Sequence, residues 1–154
     1  MARYLSHLIL LILLLSGVKG FSQNKISIDQ TLDYINSKLQ PKVKAEVKGG
    51  YLLLTFTNDK GEVYRKDKVA LDALDHTAIE YVEEEKMITL RCLNGAECDE
   101  RQLNTTTKVT RNYNRVTIVY EGEDRSKEGL LNAFGHLVKL VNVKSYKDHQ
   151  PFEK

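Results

Sequence analysis

The sequence predicts an α+β domain in which about seven short, mostly antiparallel strands lie between two amphipathic helices. Apolar residues recur at helical spacing near each end of the working chain. They are Ile28, Leu32, Ile35 and Leu39, then Leu130, Phe134, Leu137 and Val141. Between these stripes the apolar period falls to two, and Gly, Asn and Asp punctuate the segments. The breaks are short turns, which join antiparallel neighbours rather than parallel ones.

Residues 1–22 precede the domain and read as a secretory signal peptide. Arg3 supplies a positive start, Leu8 to Leu15 is an unbroken apolar run, and Gly20-Phe21-Ser22 places small residues three and one before a cut. An uncleaved N-terminal anchor is the alternative, but the apolar run is shorter than the roughly 20 residues a bilayer span needs. Cleavage would leave residues 23–154, enough for one domain with one core. Arg3 and Lys19 are lost with the leader, so 23 basic residues become 21, matching the 21 acidic ones. A net charge of zero gives no reason to expect a nucleic acid or an anionic membrane as partner. No later apolar segment is long enough to span a membrane.

The first helix starts at a capping box, Ser27-Ile28-Asp29-Gln30, and ends at Pro41. Val43, Ala45 and Val47 then alternate with charged residues in a strand with one wet face. Gly49-Gly50 is a tight turn into a strand at Tyr51 to Thr57. Asn58 to Gly61 is a turn into a strand running from Glu62 to about Leu71, with a charged outer face. Asp72 to Asp75 reads as a short helical corner. Ala78 to Val82 and Met87 to Leu93 are strands joined by Glu83-Glu84-Glu85. Cys98 to Leu103 returns from an Asn94-Gly95 turn. Asn104 to Arg111 is an extended edge or a loop, and Val116 to Tyr120 is a strand. The second helix covers about Ser126 to Val143, with acidic residues at its start and Gly135 inside it as a sign of close approach to the sheet. Residues 144–154 form a polar tail.

Cys92 and Cys98 flank the Asn-Gly turn. In an oxidising compartment this pair suggests a disulfide, with free thiols the alternative. A hairpin with Asn94 to Ala96 as its loop would set Cys92 opposite Cys98. Neither a zinc site nor a redox motif fits this spacing, and no motif calls for a cofactor or metal.

The strand count followed by a helix resembles the pleckstrin-homology-like architecture, a bent sheet or small barrel with the last helix packed on it. A cystatin-like or nuclear-transport-factor-like cone is the alternative. Three segments also resemble small, largely uncharacterised exported proteins of Gram-negative bacteria. They are Phe21-Ser22-Gln23, Ile88 to Gly95 with Cys98, and the helix from Asn132 to Leu140. That resemblance implies location and brings no catalytic residues.

The candidate ligand or partner patch is Lys108, Arg111, Tyr113 and Arg115, where basic groups interleave with an aromatic. Its simpler reading is a solvated edge that resists aggregation. His76, next to Asp75, invites a general-base role, yet no nucleophile has a recognisable motif. His136 reads as a helix-flank histidine hydrogen-bonded to a strand carbonyl, and Glu83 to Glu85 as a solvated hairpin tip without calcium-loop spacing. His149 falls in the tail, and Asn104-Thr105-Thr106 matches a glycosylation pattern by chance. The reading that follows is an exported, non-enzymatic binding domain with a protein partner. A carrier of an apolar or amphipathic small molecule held between sheet and last helix comes second, and a hydrolase of unrecognised type third.

Overall fold

The computed structural model describes residues 26–104 and 107–148, with the backbone alone for 143–148. The leader, Thr105, Thr106 and the chain from His149 onward lie outside the described residues. Helix α1 (Ile28–Leu39) begins where the capping box places it. Ser27 Oγ accepts from the Gln30 N–H at 3.1 Å, and Gln30 Oε1 accepts from the Ser27 N–H at 2.9 Å. The strands are β1 (Val43–Lys48), β2 (Tyr51–Thr57), β3 (Val63–Ala70), β4 (Leu74–Val82), β5 (Met87–Cys92), β6 (Asp99–Asn104), β7 (Lys108–Tyr113) and β8 (Arg115–Val119). The eighth strand, beyond the seven expected, is β7. Helix α2 (Asp124–Asp148) runs past the expected end near Val143.

All pairings are antiparallel. The larger sheet has the order β1-β2-β3-β6-β7 and the smaller one β4-β5-β8, so the bent sheet stays open rather than closing into a barrel. Gly49 and Gly50 both have positive φ, which side-chain-bearing residues avoid, and they reverse the chain between β1 and β2 in two residues.

One core lies under both helices. Ile35 and Leu39 of α1 and Leu130, Phe134, Leu137 and Val138 of α2 are buried with the inward residues of β1, β2, β5 and β8. The helices pack on each other, α1 also on β1, and α2 on β4. The stripes read from the sequence are therefore the docking faces, and for the 12-residue α1 burial supplies what a short helix lacks on its own.

The hairpin expected at Asn94-Gly95 does not form. Both residues take positive φ, as a tight reversal needs, and the Ala96 N–H donates to the Leu93 carbonyl at 3.0 Å. The chain then leaves the smaller sheet, and β6 pairs with β3 and β7. The reason is occupancy: β4 and β8 already fill both edges of β5. The disulfide forms all the same, with the Cys92 and Cys98 Cα atoms 5.8 Å apart. It ties the end of one sheet to the start of the other instead of bracing a hairpin.

Candidate functional site

The two edges of the larger sheet are finished differently. On β1 the Asn36 side chain of α1 acts like a neighbouring strand. Its Nδ2 donates to the Ala45 carbonyl at 2.9 Å, and its Oδ1 accepts from the Ala45 N–H at 2.8 Å. On β7 no described strand pairs with the outer side. Alternate backbone groups of an antiparallel edge point outward, so β7 offers a row of donors and acceptors.

The patch read from the sequence sits on and beside this edge, but not as one surface. Strand alternation puts Lys108 on one face of β7 and Arg111 and Tyr113 on the other. Arg115 lies past the Asn114 corner, in the smaller sheet. Lys108, Arg111 and Arg115 are exposed. Tyr113 is half-buried, and the Arg101 guanidinium stacks over its ring at 4.2 Å. Its aromatic face is thus already engaged. β7 itself, KVTRNY, carries no acidic residue.

Behind the edge lies a buried charge network that the sequence reading missed. The face of the larger sheet that is apolar on β1 and β2 becomes charged on β3 and β6. Arg65 Nε donates to both Asp67 oxygens, at 2.8 and 3.0 Å, and Arg65 Nη2 also binds Asp67. Arg101 Nη2 donates to Asp99 Oδ2 at 2.8 Å and to the Arg115 carbonyl of β8 at 3.3 Å, and its Nε lies 3.3 Å from Asp67 Oδ1. Asp67 and Asp99 are buried, and Asp99 Oδ1 has no hydrogen-bond partner among the described residues. Burial pushes the Asp99 carboxyl up to about 6, the neighbouring Asp67 adds to this, and Arg101 opposes it. Its available sign was the opposite-charge pair at i, i+2, present in both strands as Arg65/Asp67 and Asp99/Arg101.

The acidic turn between β4 and β5 has a structural task. Glu83 Oε1 receives the Lys127 ammonium at 2.6 Å, and Asp124 receives it at 3.0 Å, while Lys127 lies 4.2 Å from the centre of the Tyr81 ring. These hydrogen bonds, Glu83 first, hold the Lys127 ammonium above the usual lysine range. They fasten the start of α2 to the smaller sheet.

His76 stands where β4 departs from its ladder, between the Leu74 and Ile79 pairings. Asp75 does not orient it as a catalytic relay would. Asp75 Oδ1 accepts from the Thr77 hydroxyl at 2.6 Å and the Thr77 N–H at 2.8 Å, which keeps its carboxyl below the usual range. His136 Nε2 lies 3.2 Å from the carbonyl of Ile26, in the segment before α1, and not from the strand carbonyl expected of it. Both histidines line an open cleft of about 480 Å³ between β4 and α2, with Ile79, Glu128, Leu131, Asn132, Gly135 and Lys139. Among the described residues, no group of three or more His, Cys, Asp or Glu side chains could hold a metal ion.

Comparison with known proteins returns no matching family model, no matching curated protein and no matching solved structure.

Proposed function

We propose that the chain is an exported, non-enzymatic binding module of the bacterial envelope, and that its partner is a protein adding an extended segment along β7. The observation that carries this reading is the asymmetry of the two edges. The fold caps β1 with Asn36 and sets no described strand against the outer side of β7. Backbone bonds along such an edge supply affinity, and flanking side chains supply selection. With Lys108, Arg111 and Arg115 exposed and no acid on β7, the favoured segment is acidic. The same charges oppose the pairing of β7 with a second copy of itself.

Export rests on the leader pattern. The Cys92–Cys98 disulfide is compatible with it, as is the absence of a described helix long and apolar enough to cross a membrane. The apolar-carrier reading finds less support. Leu130, Phe134, Leu137 and Val138 fill the interface between α2 and the sheet, and the cleft beside it has mostly polar walls.

A photo-crosslinking side chain at Thr110, exposed on β7, tests the reading in cells making the chain with its own leader. A discrete protein adduct that disappears with Arg111→Glu plus Arg115→Glu, in a protein of unchanged melting temperature, supports it. The same adduct from a crosslinker at Lys44 on β1, or one that survives the charge reversal, overturns it.

A further inference from the structure

The cleft between β4 and α2 is separate from the β7 edge. Its α2 wall consists of Glu128, Leu131, Asn132, Gly135, His136 and Lys139. These positions repeat at three and four residues and so share one face of the helix. Glu128 and Lys139 stand at opposite ends, about 16 Å apart along the helix axis at 1.5 Å per residue. Leu131 and Ile79 supply the apolar lining. At Gly135 this wall carries no side chain, and a Cβ built there would have the His76 carbonyl at 3.8 Å, ordinary contact distance. His76 can leave the ladder because the β4–β5 register is irregular at this point.

The polar groups around this cleft are largely unspent. His76, Glu128, Asn132 and Lys139 have no hydrogen bond or ion pair among the described residues, whereas Lys127 on the same helix binds two carboxylates. His136 is the exception. A carbonyl can only accept, so Nε2 is the donor in this contact, which leaves Nδ1 out of it. The cleft thus offers an anion at one end, a cation at the other, hydrogen-bonding groups between them and apolar patches inside. Its volume falls within the range of small-ligand sites.

We propose that this cleft binds a short peptide with free termini, its ammonium group at Glu128 and its carboxylate at Lys139, with His76, Asn132 and His136 meeting the intervening backbone. The span corresponds to about four or five extended residues at roughly 3.4 Å each. Charge at both ends selects a zwitterion over a simple anion or a neutral sugar. The site does not depend on the β7 reading, and either can fail alone.

The probe is tetra-alanine with free termini, set against the same peptide acetylated and amidated. Binding is followed by NMR on the imidazoles of His76 and His136. The expected result is saturable shifts at both histidines with the free peptide, and at least tenfold weaker binding of the blocked one. Glu128→Gln and Lys139→Gln should each weaken the free peptide about tenfold, the loss of one charge-assisted pair. Both side chains are exposed, so the variants should keep the parent melting temperature. Equal binding of free and blocked peptides, insensitivity to both variants, or silent imidazoles at saturating peptide would each overturn the proposal.

Discussion

Replacing Asp99 by asparagine should change how stability depends on pH more than it changes the fold. The carboxyl is fully buried, one oxygen bonds Arg101 and the other has no partner among the described residues. The groups facing it are Asp67 and Arg65 on β3, Arg101 on β6 and the Tyr113 ring on β7. Raising its pKa from 3.8 to about 6 corresponds to about 3 kcal/mol against the charged form in the folded state. The folded protein therefore holds a proton between about pH 4 and 6 that the unfolded chain has released. This residue's contribution is greatest below pH 4, falls as pH rises to about 6, and is flat above that. Asparagine keeps the shape and an acceptor for Arg101 Nη2, and removes the titration. The assay is urea unfolding of both proteins from pH 4 to pH 8, read as the variant minus parent free energy. That difference should move by up to about 3 kcal/mol in favour of the variant across the window. The offset at pH 4 also contains the cost of the new amide, so the change with pH is the diagnostic quantity. A difference constant to within about 0.5 kcal/mol would refute the reasoning, because Asp99 would then titrate alike in both states.

Two glycines of α2 should respond differently to alanine. At Gly135 the nearest atom to a new Cβ is 3.8 Å away, so Gly135→Ala should gain about 1 kcal/mol from helix propensity, measured by urea unfolding. At Gly129 a Cβ would lie 1.9 Å from the Tyr34 hydroxyl. Gly129→Ala should gain less or lose, and should recover the gain in a Tyr34→Ala background. Asn36→Ala removes both bonds to Ala45 and should cost roughly 2 kcal/mol. It should also expose the β1 edge, seen as concentration-dependent association in sedimentation. Replacing both cysteines by serine should cost about 2 kcal/mol, as expected for so short a loop. Backbone NMR shifts of β6 and β8 should stay near the parent's, since Arg101 still bridges to the Arg115 carbonyl.

Local signals in this chain were legible, and spatial ones were not. Ser27 and Gln30 mark the first helix because capping is settled within one turn. Gly49-Gly50 marks the first reversal because its conformation suits few other residues. Asn94-Gly95 also takes the conformation its residues favour, yet the strand after it goes elsewhere. Which strand β6 joins depends on β8, which comes later in the chain and takes the edge of β5. The basic segment from Lys108 to Arg115 was legible as an edge. Its division between two faces and a corner follows from the exact bounds of β7 and β8, which composition does not supply. Asp67 and Asp99 escaped notice because a charged residue in an alternating strand normally marks the wet side. Here both lie on the inward face, where Arg65 and Arg101 pair with them and the Arg115 carbonyl of β8 meets Arg101.

The buried charges and the open edge are connected. Across the larger sheet, the inward row Leu54, Asp67, Arg101 and Arg111 follows the pairings of β2, β3, β6 and β7. It runs from a buried leucine, through a buried aspartate and a mostly buried arginine, to an exposed arginine. Apolar residues continued to the edge would leave β7 with a hydrophobic inner face beside unpaired backbone, the combination that promotes sheet-to-sheet aggregation. The charged row avoids this, and Asp67 meets the cost of burying Arg65 and Arg101 by pairing with both. Arg111 faces Arg101 across the ladder and has no carboxylate partner among the described residues. It is the one cation of the row left for a partner, so reversing it tests the edge without dismantling the network behind it.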